Sequence, residues 1–135
     1  MSKQLAKVYE LAFPVATVYR AWVSSDTVIP PATAMDILPE VGGHYRLRMN
    51  LPDFKGRNDG VFSAVVPEEH LRYSWEWNGD GEVTEVDVRF AVSAVGCRIE
   101  LRHNGFQDDA SVERHALGWD SYIEGFEAHL RAKSA

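Results

Sequence analysis

In HYRLRMNL, residues 44–51, Tyr45, Leu47, Met49 and Leu51 fall on one side of an alternating segment. That two-residue period predicts a half-buried strand. The same alternation returns in residues 70–77, where Leu71, Tyr73, Trp75 and Trp77 oppose Arg72, Ser74 and Glu76. In residues 83–92, Thr84, Val86, Val88 and Phe90 oppose Glu85, Asp87 and Arg89. In residues 97–103, Cys97, Ile99, Leu101 and His103 oppose Arg98, Glu100 and Arg102. Residues 2–11 and 61–66 also read as strands, the latter stopped by Pro67. FKGRNDG, NGDG and SAVG, rich in Gly, Asn, Asp or Ser, read as turns. Successive strands that are apolar on one face and charged on the other predict an antiparallel sheet with one buried side.

Two segments change period. After Pro14, placed where a helix tolerates proline, Val15, Val18, Tyr19 and Trp22 follow at i, i+3, i+4 and i+7. They predict a short helix, with a second helical turn between SSD and IPP. From about Asp109 to Arg131, Val112, Ala116, Trp119, Ile123, Phe126 and Leu130 are spaced 4, 3, 4, 3 and 4. That stripe predicts a long helix covering the sheet. Asp108 and Asp109 suit its N-terminus. The order strand, helix, many strands, long helix is α+β, and residues 1–135 form one domain.

Composition narrows the function. A net charge of -6 argues against nucleic acid, which wants a basic face. No run has the apolar length of a membrane span. A single cysteine, Cys97, and an N-terminus without a continuous apolar h-region predict a cytoplasmic protein. No His, Cys or carboxylate cluster has metal-ligand spacing: His115 and His129 stand about 21 Å apart by helical rise. Nothing calls for a cofactor. Cys97, on an inward face, reads as an inert small hydrophobe. The basic stretch His44, Arg46, Arg48, Lys55 and Arg57 reads as the solvated side of a strand plus a turn.

Four segments, in order, resemble one family. FPVATVYRAWVSSD is similar to its opening helix, with Val18, Tyr19, Arg20, Ala21 and Trp22 in matching places. VGGHYRLRM is similar to its paired-glycine strand start (Gly42, Gly43, Tyr45). VVPEEHLRYSWEW resembles its Pro-Glu turn and Trp-bearing strand. HALGWDSYIEGFEAHL resembles its Gly-Trp helix, through Gly118 and Trp119. The chain thus resembles the START-like, or SRPBCC, superfamily, in its activator-of-heat-shock-protein-ATPase-like branch. The resemblance implies a helix-grip fold: a curved antiparallel sheet wrapped around a long C-terminal helix, with short helices after the first strand and a cavity between sheet and helix. Where many relatives carry a tryptophan-rich segment, this chain has VIPPATAMDI, with Pro30 and Pro31, which implies a differently shaped mouth.

On that fold the aromatic faces gain a second meaning. Alone, Tyr45, Tyr73, Trp75, Trp77 and Phe90 from the sheet and Trp119, Tyr122 and Phe126 from the helix read either as plain core or as the wall of an apolar cavity. The resemblance implies a binder of a small apolar or aromatic molecule, held by these eight residues with His103 and Gly125. It also allows a cyclase or dehydratase using His103 and tyrosines in acid–base roles, or a module acting on a chaperone ATPase. A homodimer is compatible with the sequence.

Two glycines interrupt the long helix, each forgoing about 1 kcal/mol of helix propensity. Gly118, Tyr122 and Gly125 share a flank beside the buried stripe. The expectation is that Gly118 lets the sheet press close and that Gly125 borders the cavity.

Overall fold

A computed structural model describes residues 3–134. Its elements run β1 (Lys3–Leu11), α1 (Val15–Trp22), β2 (Ala34–Ile37), β3 (His44–Asn50), β4 (Lys55–Val66), β5 (His70–Trp77), β6 (Thr84–Val92), β7 (Cys97–Phe106) and α2 (Asp109–Ser134). The strands form one sheet in the order β1-β7-β6-β5-β4-β3-β2, every pair antiparallel. The fold is the α+β helix-grip: a curved sheet, one short helix after the first strand, and a long C-terminal helix across the concave face. No described helix is long and apolar enough to cross a membrane.

The alternation assigns the faces. Leu71, Tyr73 and Trp75 of β5 are buried, as are Val86, Val88 and Phe90 of β6 and Cys97, Ile99, Leu101 and His103 of β7. From α2, Trp119, Ile123, Phe126 and Leu130 close over them. Asp108 caps α2, accepting the Ser111 backbone N–H at 2.8 Å. Asp120, on the solvent flank of α2, accepts from Tyr9 Oη at 2.8 Å and Lys7 Nζ at 3.0 Å, which ties the helix to β1. The basic stretch of β3 and β4 lies on the outer face, where Asp36 and Asp59 neutralise it through His44, Arg46, Arg48 and Arg57. Cys97 is fully buried, and burial raises its thiol pKa, so it is packing rather than chemistry.

Three local expectations are corrected and one strand is added. FKGRNDG is not a turn but the first half of β4; the chain reverses one step earlier, where Leu51 N donates to Phe54 O at 2.9 Å. Its turn-like residues serve the strand. Gly60 faces the Ser74 carbonyl so closely that a Cβ would overlap it, and Asn58 is fully buried between Leu47 and Trp77. The segment after α1 makes turns rather than a second helical turn. The short strand β2, which sequence periodicity does not reveal, pairs with β3. Finally, β7 continues to Phe106, so His103 sits inside a strand rather than at its end.

Candidate functional site

Between the sheet and α2 the described residues leave a groove of about 610 Å³. Its floor is Tyr45, Leu47 and Met49 from β3 with Trp75 and Trp77 from β5. Gly118, Trp119 and Tyr122 of α2 form the wall. Ile29, Pro30, Pro31 and Ala32, between α1 and β2, edge it. Asp80, Glu82, Ser111, Arg114 and His115 make a polar end. The size falls within the about 300–1,000 Å³ of small-molecule sites, and apolar walls with few polar groups are their usual chemistry.

Two of the groove tryptophans are held by histidines. Trp119 donates its indole N–H to His103 Nδ1 at 3.0 Å, and Trp77 donates to His115 Nε2 at 3.1 Å. An accepting nitrogen carries no proton, so the other nitrogen of each ring bears it. His103 Nε2–H therefore donates to Thr84 Oγ1 at 2.7 Å, and Thr84 passes its own proton to the Trp75 carbonyl at 3.1 Å. His115 Nδ1–H donates to the Ser111 carbonyl at 2.8 Å. The two imidazoles lie 5.1 Å apart between centroids. Burial, reinforced by the neighbouring His115, pushes the His103 pKa down to about 3. Burial also lowers that of His115. Both rings are thus neutral, fixed in tautomer, and serve to orient two tryptophans of the groove.

A second network lies at the inner end. Tyr45 and Tyr73 stack at 4.5 Å, and Trp22 donates its indole N–H to Tyr73 Oη at 3.2 Å. The hydroxyls of Tyr73 and Tyr122 neighbour that of Tyr45. Burial raises all three phenol pKa values, that of Tyr45 to about 12, so the hydroxyls stay protonated. At the polar end, the Glu82 carboxylate accepts from Gln107 N at 3.2 Å and Ser111 Oγ at 3.1 Å.

Of the residues that sequence singled out, Tyr45, Trp75, Trp77, Trp119 and Tyr122 line this groove together. Tyr73, Phe90, His103 and Phe126 lie behind it in the packed core: Phe90 edges Tyr19 and Trp22, and Phe126 packs on Trp22 and Tyr122. Both His103 nitrogens are engaged, by Thr84 and Trp119, so the acid–base role considered for it has no free proton site.

The two glycines exchange roles relative to expectation. A Cβ on Gly118 would meet nothing within 4 Å, and Gly118 lines the groove. A Cβ on Gly125 would overlap Ile29 Cγ2. Gly125 is the packing glycine, and it seats the segment that edges the groove.

Sequence reasoning missed the edge at Ile29 and Ala32 and the polar end. Helical spacing carried part of the missing signal. Arg114 and His115, Gly118 and Trp119, and Ser121 and Tyr122 recur at three and four residues, one continuous face of α2.

The same architecture occurs in solved structures. A protein from Mesorhizobium loti superposes with a TM-score of 0.83 at 19% identity, covering 98% of this chain and 99% of that one. One from Chromobacterium violaceum gives 0.79 at 21% identity, covering 93% and 95%. An AHSA1-like protein from Aeromonas hydrophila gives 0.79 at 19% identity, covering 98% and 94%. At such identities the likeness speaks for the fold. No curated protein sequence matches the chain at a significant level. The family described as Activator of Hsp90 ATPase homolog 1-like protein matches residues 12–131, nearly the whole span of sheet and helices, and the chain belongs to that family.

Proposed function

We propose that this protein binds a small apolar or aromatic molecule in the groove between sheet and α2, without transforming it. One observation carries the reading: three tryptophans and two tyrosines converge on a single groove of about 610 Å³. These rings touch one another, with Trp75 5.4 Å from Trp119 and 5.6 Å from Trp77 between centroids, and still leave this space open beside them. Three features support binding rather than catalysis. The histidines nearest the groove are kept neutral by burial and accept indole N–H groups, the phenols are held protonated, and the cysteine is buried elsewhere.

Gly118 offers a direct test, because a side chain there would project into the groove without displacing anything. Anilinonaphthalene sulfonate is a suitable aromatic probe. Its fluorescence should rise and saturate at one equivalent with the wild type. The Gly118→Leu variant, which fills the groove and introduces a helix-forming residue, should melt no lower and lose about tenfold or more in affinity. Equal probe binding by a folded Gly118→Leu variant would refute the groove as the site.

A further inference from the structure

The two histidines of the site differ in one respect. His103 is fully buried behind the groove, whereas His115 is half-buried and lines it. The His115 ring is therefore covered further by whatever fills the groove. Its nitrogens have separate tasks. Nδ1–H donates to the Ser111 carbonyl one turn earlier on α2, at 2.8 Å, which fixes the ring on its own helix. Nε2 accepts the Trp77 indole N–H at 3.1 Å, which fixes a floor residue from β5.

A proton at Nε2 would set donor against donor, because an imidazolium has no acceptor left. Trp77 would lose its partner, and one of the two rings would have to turn away. The charge is also unfavourable in itself, since an apolar molecule laid against an imidazolium strips water from it. Both effects weaken the hold on an uncharged ligand.

The surroundings decide when that proton arrives. Burial opposes it most strongly. The Ser111 carbonyl, and Glu82 and Asp80 from the β5–β6 connection, favour it, and Arg114 on α2 opposes it. From β7, Phe106 at 4.7 Å between centroids is apolar, and His103 at 5.1 Å stays neutral. Burial prevails, so His115 protonates below the ordinary 6.5.

We infer that ligand and proton compete at His115: protonation at Nε2 releases Trp77 and weakens an uncharged ligand in the groove, and that ligand in turn opposes the protonation. Linkage makes the two effects equal in size. Affinity is then fully present above the pKa of His115 in the empty protein and falls as pH drops through it.

This rests on the groove being a ligand site, and the test separates the two claims. Phenylnaphthylamine has the rings of anilinonaphthalene sulfonate without the sulfonate, so a charged His115 cannot attract it as an anion. Its Kd, read by fluorescence, should rise about fivefold or more between pH 7.5 and about pH 4.5 in the wild type. Near-UV circular dichroism confirms the fold at both values. His115→Gln keeps an acceptor without a titrating proton, and His115→Phe keeps neither. The Gln variant should bind more tightly than the Phe variant, and neither should show the acid loss. Asp80 and Glu82 are common to all three proteins, so the difference isolates His115. Nitrogen-15 NMR of the wild-type histidine side chains should show the Nδ1–H tautomer of His115 at neutral pH. Its titration midpoint should fall when the probe saturates, a readout that needs no variant.

An acid loss that persists in a folded His115→Gln variant, or a midpoint that the probe leaves in place, overturns the competition and leaves the groove standing. No binding of the probe at pH 7.5 removes both claims.

Discussion

Replacing His103 by alanine is expected to destabilise the protein by roughly 3–5 kcal/mol, measured by urea denaturation at pH 7.5. The ring is fully buried between Phe106, His115 and Trp75, with centroids 4.5, 5.1 and 5.7 Å away, so its loss leaves a cavity in a packed layer. Its loss also strands the Trp119 indole N–H, a donor with no other acceptor. The same geometry makes the wild type sensitive to acid. A proton added at Nδ1 would face the Trp119 N–H, donor against donor. The folded-state pKa of about 3 lies below the ordinary 6.5, so the unfolded chain binds more protons between those values. Stability is then fully present above about pH 6.5 and is lost as pH falls toward 3, by at most about 1.4 kcal/mol per unit. His115, shifted in the same direction, adds a loss of the same sign. The carboxylates with lowered pKa, Asp36, Asp87 and Asp120, start from 3.8 and act at the acid end of the range. Between pH 4.5 and 6.5 the slope of stability against pH thus reports chiefly the histidines, and it should flatten in His103→Ala. An unchanged slope would mean that His103 is not held neutral by its surroundings.

The two glycines of α2 should respond oppositely to the same substitution. Gly125→Ala is expected to cost about 1–3 kcal/mol, because the new methyl overlaps Ile29, which is itself buried and cannot retreat freely. The displaced segment carries Pro30, Pro31 and Ala32, so the groove edge shifts with it and probe affinity should fall. Gly118→Ala meets open space and should stabilise by up to about 1 kcal/mol through helix propensity. Thermal and urea melts of the two variants decide the matter. Destabilisation by Gly118→Ala equal to that by Gly125→Ala would contradict the assigned roles.

The reversal of these glycines shows where sequence reasoning ends. Helical spacing puts Gly118, Tyr122 and Gly125 on one flank of α2, and that placement holds. Which glycine is crowded depends on Ile29, nearly a hundred residues away in a segment without periodicity. The fold itself was legible because each inward face repeats every two or every three to four residues, from Tyr45 to Leu130. FKGRNDG misled because composition reports what a turn tolerates, whereas here Gly60 and Asn58 answer to close neighbours across the sheet. The aromatic residues of the groove were legible as inward-facing. The division between wall and core was not, since Tyr73 and Tyr45 obey the same alternation and only three-dimensional packing puts one behind the other. His103 was visible as an inward histidine, but its partners Thr84 and Trp119 come from two other elements.

The central claim is that an aromatic molecule occupies the space between sheet and α2, and the four indole N–H groups are its natural reporters. In an amide-correlation NMR spectrum of the nitrogen-15-labelled protein, each gives a side-chain resonance assignable by single Trp→Phe substitution. Titration with anilinonaphthalene sulfonate should move the resonances of Trp75, Trp77 and Trp119 most, because their rings line the groove, and that of Trp22 least, because it lies behind in the core. Shifts confined to Trp22, or to backbone amides of the charged outer face with all four indoles unmoved, would contradict the account.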